Sequence, residues 1–122
     1  MSRRILVVED HEDNRRIIRD LLRATGYTMI EAHDGEAALE RVAAERFDLI
    51  LMDIQLPGID GYEVARRVRL DPANAATPII AVTSYALSGD EAKTRQAGCN
   101  AYVSKPYRPR ELLAKIREYL PS

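Results

Sequence analysis

Four carboxylates fall within five residues, at Glu9, Asp10, Glu12 and Asp13, and three later apolar runs end on further reactive side chains. Leu49 to Met52 ends on Asp53, Ile79 to Val82 on Thr83 and Ser84, and Ala101 to Val103 on Ser104, Lys105 and Pro106. Carboxylates drawn close together must take up a proton or share a cation. Oxygen ligands favour a hard ion, and Mg2+ is typically held by one or two carboxylates, with phosphate and water completing its shell. A carboxylate beside such an ion, faced by the Lys105 ammonium and the Thr83 hydroxyl, could attack phosphorus to give an aspartyl phosphate. The metal and the lysine would then neutralise charge on the transferring oxygens. Asp53 is the best nucleophile, because it stands alone at the end of its run and, if the first and third runs are neighbours, faces Glu9 and Asp10.

That chemistry needs an architecture that carries residues 9, 10, 53, 83 and 105 to one edge. The apolar runs Ile5 to Val8, Tyr27 to Ile30, Leu49 to Met52, Ile79 to Val82 and Ala101 to Val103 are mostly continuous, not alternating. Continuous apolar strands are buried on both faces, which marks a parallel sheet covered by helices. Helix signals lie between them. Ile17, Ile18, Leu21 and Leu22 form a stripe that Gly26 can stop. Asp34 can cap a helix carrying Ala38, Leu39 and Val42. Asp60 with Glu63, and Ser88 with Glu91, read as capping boxes, and Gly98 ends the helix that follows Ser88. Pro109 suits the first turn of a helix carrying Leu112, Leu113, Ile116 and Leu120. Five strand-then-helix repeats fold as a doubly wound α/β layer with right-handed crossovers. In such sheets ligands bind beyond the carboxyl ends of the strands. The second run, followed by Glu31 and Ala32, is expected at the sheet edge.

Composition narrows the function. At 46% apolar and 30% charged residues, disorder is excluded. Eighteen basic against nineteen acidic residues leave a net charge of -1, which argues against nucleic acid as partner. One cysteine, Cys99, rules out an intrachain disulfide, and it reads as a small half-buried side chain. No apolar run approaches the ~20 residues of a membrane helix or the roughly 7–15 of a secretory leader. The expectation is one cytoplasmic domain over residues 1–122, with no attached output domain. His11, on the rim of the acidic loop, and His33 read as surface residues. Between Ser88 and Gly98 the apolar side chains are Ala92 and Ala97, so the fourth helix is expected to dock weakly and to be able to shift.

Glu9-Asp10 after Ile5-Leu6-Val7-Val8, Asp53 with Leu56-Pro57-Gly58, Thr83-Ser84 and Lys105-Pro106 together resemble the receiver domains of bacterial response regulators, in order and over essentially the whole chain. Asp53-Ile54-Gln55-Leu56-Pro57, Ser88-Gly89-Asp90-Glu91 and Cys99 are most similar to the single-domain, DivK-like type. The resemblance implies a flavodoxin-like (βα)5 fold with a parallel sheet of order 2-1-3-4-5. It implies a two-component phosphorelay in which Asp53 accepts a phosphoryl group from a histidine kinase or a histidine phosphotransfer protein. Asp10 and Asp53 would coordinate Mg2+, with Mn2+ able to substitute, the Gln55 backbone carbonyl would be a further ligand, and Glu9 would act through a metal-bound water. Thr83 would turn towards the phosphoryl oxygen, Tyr102 would swing inward behind it, Lys105 would pair with the phosphoryl group, and the bond before Pro106 would be cis. Signalling would run through a face formed by the fourth helix, fifth strand and fifth helix to a downstream protein. Such a chain is a phosphoacceptor module, not an enzyme acting on an outside metabolite.

Arg15, Arg16, Arg19 and Arg23 crowd the first helix and read either as a solvated face or as a docking surface for the phosphodonor, with Tyr107 and Arg108 as further contact candidates. Tyr85 is large enough to shield Asp53 from water. Two rivals fare worse. Phosphatases with an aspartyl-phosphate intermediate typically carry a second acid two residues after the nucleophile, where this chain has Gln55. Flavin binding on a flavodoxin-like layout needs a phosphate-friendly first loop, which the carboxylates from Glu9 to Asp13 would repel.

Overall fold

The computed structural model describes residues 2–84 and 90–121. Its elements are β1 (Arg4–Val8), α1 (Glu12–Arg23), β2 (Thr28–Ala32), α2 (Gly35–Ala44), β3 (Leu49–Asp53), α3 (Gly61–Leu70), β4 (Ile79–Thr83), α4 (Asp90–Gln96), β5 (Ala101–Ser104) and α5 (Pro109–Tyr119). The strands form one sheet of order β2-β1-β3-β4-β5, every pair parallel, as expected. β2 is at the edge, as expected from the Glu31 and Ala32 that follow its apolar run.

The continuous apolar strands are explained by two helix layers. Leu6, Val8, Ile50, Met52 and Ala81 join Ala38, Val42, Val64 and Val68 in one core. Their neighbours Ile5, Val7, Leu49, Leu51, Ile80 and Val82 join Ile18, Leu22, Leu112 and Ile116 in the other. Side chains alternate across a strand, so a strand buried on both sides has no polar position to spare. Every residue of β3 and β4 is buried, Asp53 and Thr83 included.

The helix starts follow local chemistry. Asp34 accepts a hydrogen bond from Ala37 N at 2.7 Å, and Asp60 accepts one from Glu63 N at 2.9 Å. The box at Asp60 is only half closed, because the Glu63 carboxylate turns to Arg66 and Arg67 instead. Two expectations, the Ser88 cap and the Tyr85 shield, lie outside the described residues. In α4 the buried side chain among those described is Thr94, Ala97 just after the helix is also buried, and Ala92 faces solvent. At the amino ends of β3 and β4, fully buried Asn74 accepts from Phe47 N at 3.0 Å and donates to the carbonyls of Val42 at 3.0 Å and Glu45 at 2.9 Å. It satisfies backbone groups that neither loop could pair alone. Among the described residues no helix is long and apolar enough to cross a membrane.

Candidate functional site

A parallel sheet delivers all its carboxyl ends to one edge, and the register decides what meets there. Val8 is paired with Met52, Asp53 with Val82, and Thr83 with Ser104. Backbone bonds carry the register one residue further, from Glu9 N to Ala32 O at 3.1 Å and from Lys105 N to Thr83 O at 2.8 Å. Glu9, Asp53, Thr83 and Lys105 therefore stand side by side at the tops of β1, β3, β4 and β5. The Lys105-Pro106 bond is cis, as expected.

Asp53 is 4% exposed. Lys105 Nζ lies 2.9 Å from its Oδ2, and Gln55 N donates to its Oδ1 at 2.9 Å. Glu9, also 4% exposed, accepts from Asn14 Nδ2 at 2.8 Å and lies 3.9 Å from Lys105 Nζ. Burial pushes the Glu9 carboxyl up to about 7, and the neighbouring Asp53 and Asp10 add to the rise while Asn14 opposes it. A carboxylate resisting its charge at neutral pH is the expected result of crowding three acids behind one lysine. Asp10 Oδ1 is buried and takes no hydrogen bond. One ligand atom each from Glu9, Asp10 and His11 lies within 4.8 Å of the others. An unsatisfied buried oxygen beside two more acids fits a hard divalent cation.

The backbone of α3 presses on this site from below. A side chain on Gly61 would place its Cβ 2.6 Å from Asp53 O and 2.7 Å from Ile54 Cα. Gly61 N also donates to Ile54 O at 3.0 Å. Glycine here lets the start of α3 rest directly on the Asp53-Ile54 peptide.

The profile of the response regulator receiver domain family matches residues 5–117. The chain belongs to that family. It is 43% identical over 120 residues to the polar-differentiation response regulator DivK of Brucella anthropi, covering 98% of each chain. Among solved structures it matches the receiver domain of the sensor histidine kinase PA1611 of Pseudomonas aeruginosa, described with a magnesium ion coordinated in the active site cleft, at 38% identity, a TM-score of 0.91 and full coverage of both chains. The chemotaxis response regulator CheY4 of Vibrio cholerae matches at 28% identity and a TM-score of 0.91, over 98% of this chain and 99% of that one. The chain is a receiver domain of the DivK-like kind, a signalling module of two-component systems with the flavodoxin-like fold.

Other side chains singled out in the sequence lie around this receiver site at different distances. Gln55 is exposed, and its side-chain oxygen accepts from Ser84 N at 3.3 Å. Tyr102, half-buried on β5, packs against the core shared by α2 and α3. Arg15 is drawn inward, its side chain 15% exposed. Its guanidinium donates to Glu9 O at 2.7 Å and to Glu12 at 2.8 Å and meets Glu31 at 3.2 Å. Arg19 pairs with Glu31 at 2.6 Å and reaches Glu12 at 3.3 Å, so both charges are balanced within the chain. Arg108 is exposed beside Glu111, and Tyr107 is half-buried, its hydroxyl held above its usual pKa by burial and by the charges of Glu9 and Asp53. Tyr107 lines a cleft of about 490 Å³ with Asn14, Ile17, Lys105, Pro106 and Pro109, where Ile17 is half exposed. His33 stands apart, 3.5 Å from Asp34. Cys99 is buried, which pushes its thiol up to about 11. The sequence reading missed Asn14 and Gly61. Asn14 follows Glu9 by five residues with no motif to flag it, whereas a glycine directly after the cap Asp60 was a usable signal.

Proposed function

We propose that this receiver domain accepts a phosphoryl group on Asp53, in a step that needs Mg2+ or Mn2+, from a histidine kinase or a histidine phosphotransfer protein. The observation that carries this reading is the buried Asp53 carboxylate, with one oxygen on Lys105 Nζ at 2.9 Å and the other on Gln55 N at 2.9 Å, beside Glu9 and Asp10. Asp10, Asp53 and the Gln55 carbonyl would hold the ion and Glu9 would reach it through water. The ion supplies charge neutralisation at the transferring oxygens. An Asp53 oxygen forms the new bond to phosphorus as the donor's phosphorus–nitrogen bond breaks, and the nitrogen keeps the electron pair. Lys105 exchanges its carboxylate contact for a phosphoryl oxygen, Thr83 donates its hydroxyl, and Tyr102 follows inward. The donor docks on the cleft lined by Ile17 and Tyr107, with Arg15, Arg19 and Arg108 as further contact candidates. The DivK relative is matched over 98% of its own length, which supports a domain that works in the cytoplasm by binding a downstream protein.

Intact-mass measurement after acetyl phosphate treatment tests this. The wild type gains one phosphoryl group only with Mg2+ or Mn2+, and Asp53→Asn gains none. Ile17→Asp slows transfer from a phosphorylated phosphotransfer protein and leaves the acetyl phosphate reaction intact. A wild type that stays unmodified with the metal present overturns the reading.

A further inference from the structure

We infer that His11 is a nitrogen ligand to the divalent ion of this site and biases the site towards transition metals such as Mn2+ and Ni2+. The inference rests on reading the acidic pocket as a cation site and adds one donor to it. His11 Nδ1 lies 3.2 Å from Asp10 Oδ1 and 3.8 Å from Glu9 Oε2. An ion with bonds of about 2.1 Å holds adjacent ligand atoms about 3 Å apart and opposite ones about 4 Å apart. The imidazole nitrogen and the Asp10 oxygen are spaced as adjacent ligands of one ion, and Glu9 Oε2 is near enough to reach that ion through water.

The ring nitrogen stands within ion-pair reach of the Asp10 carboxylate. Asp10 Oδ1 is buried and accepts none, although Nδ1 is within reach. A buried carboxylate oxygen with no hydrogen-bond donor, standing beside a ring nitrogen, suits a shared cation. The ring has no competing task on its own helix: His11 is the residue that precedes α1, and its side chain makes no capping bond. Its backbone is held in place, since His11 N donates to Glu9 Oε2 at 3.3 Å. The ring is 71% exposed, so it stands at the mouth of the site and leaves the interior to Asp53 and Lys105. Asn14 Nδ2 occupies the other Glu9 oxygen, which leaves Oε2 as the oxygen on the His11 side.

An all-oxygen donor set suits Mg2+, whereas imidazole nitrogen suits the later divalent ions, whose affinities rise along the Irving–Williams order. His11 therefore adds little to Mg2+ affinity and much to that of Ni2+, with Mn2+ between them. The chain's other histidine, His33, is paired with Asp34 and provides an internal control.

The experiment titrates tag-free full chain with Mg2+, Mn2+ and Ni2+ separately by calorimetry, for the wild type, His11→Ala, His11→Asn and His33→Asn. A parallel nitrogen NMR titration with Zn2+ follows the imidazole signals. His11→Ala and His11→Asn should lower Ni2+ affinity about tenfold or more, a loss of the size known for disturbed metal ligation. They should leave Mg2+ affinity within about twofold, since Mg2+ is content with oxygen. His33→Asn should change neither, and Zn2+ should move the His11 Nδ1 signal alone. Unchanged Ni2+ affinity in both His11 variants, or an unmoved Nδ1 signal, overturns the inference. If the wild type binds Ni2+ but not Mg2+, the Mg2+ reading of the site fails while the role of His11 stands. If it binds neither, both fail together.

Discussion

Replacing Gly61 with alanine tests whether α3 positions Asp53, the proposed phosphoacceptor. The new Cβ would stand 2.6 Å from Asp53 O, and ordinary contact begins at 3.4 Å, so something must give by about 0.8 Å. Its nearest atoms are backbone, which cannot swing aside as a side chain would. Overpacking of this kind costs about 1–3 kcal/mol. The helix preference for alanine offsets up to about 1 kcal/mol of that, and less at a first-turn position. The net expectation is a loss of about 1–2 kcal/mol in urea unfolding. The functional effect should be larger. Displacing a reacting group by about 1 Å can cost about 100-fold, and the Asp53 carboxylate is held by 2.9 Å contacts with Lys105 and Gln55. Phosphorylation by acetyl phosphate, followed by intact mass, should slow at least about tenfold. Gly35→Ala provides the comparison, because its Cβ would meet Val64 Cγ2 at 2.8 Å and Ile59 O at 2.9 Å, between α2 and α3. It should destabilise the fold comparably and slow phosphorylation far less. Wild-type rate and stability in Gly61→Ala would refute the reasoning, and equal slowing in both variants would trace the effect to stability, not to position.

Three further outcomes are expected. Asn74→Ala strands one buried N–H and two carbonyls, at about 1 kcal/mol or more each, so urea unfolding should show a loss of about 3 kcal/mol; a loss below about 1 kcal/mol would contradict that role. Cys99, with its thiol raised to about 11, holds its proton at pH 8, so its thiolate fraction is about a thousandth against roughly a quarter for a free thiol. Iodoacetamide should label it at least about 100-fold more slowly than glutathione, and faster as pH rises towards 11; labelling at the free-thiol rate would refute its burial. Arg15→Met should weaken Mg2+ binding several-fold by releasing the Glu9 carbonyl, and Arg15→Lys should restore only part of it, since an ammonium cannot bridge Glu9, Glu12 and Glu31 at once; full recovery by lysine would show that charge alone suffices.

What could be read from the sequence followed from where strands end. Asp53 and Lys105 are polar residues closing apolar runs, and in a parallel sheet that alone places them at a common edge. The five continuous runs and their helices likewise implied the layers, and the polar break at Glu31 implied the edge strand. Other features depend on contacts between segments far apart in the chain. The Glu63 carboxylate could close its own cap or meet Arg66 and Arg67, and only the helix surface decides. Arg15 looks like any exposed helix arginine until β2 supplies Glu31 and the first loop supplies the Glu9 carbonyl. Ala92 is apolar yet faces solvent, because α4 turns Thr94 inward and the buried apolar residue, Ala97, follows the helix. Asn74 is an unremarkable loop residue in the sequence, and its role appears only when two loops meet over it.

The central claim is that one buried carboxylate of the acidic group captures phosphorus while the others serve the cation. Borohydride reduction of the acetyl phosphate-treated protein, followed by peptide mapping, tests it directly, because reduction converts an acyl phosphate on aspartate into homoserine at that position. The account predicts homoserine at residue 53 alone, and only in samples treated with the metal present. Homoserine at residue 10, or a modification that survives Asp53→Asn, would contradict it.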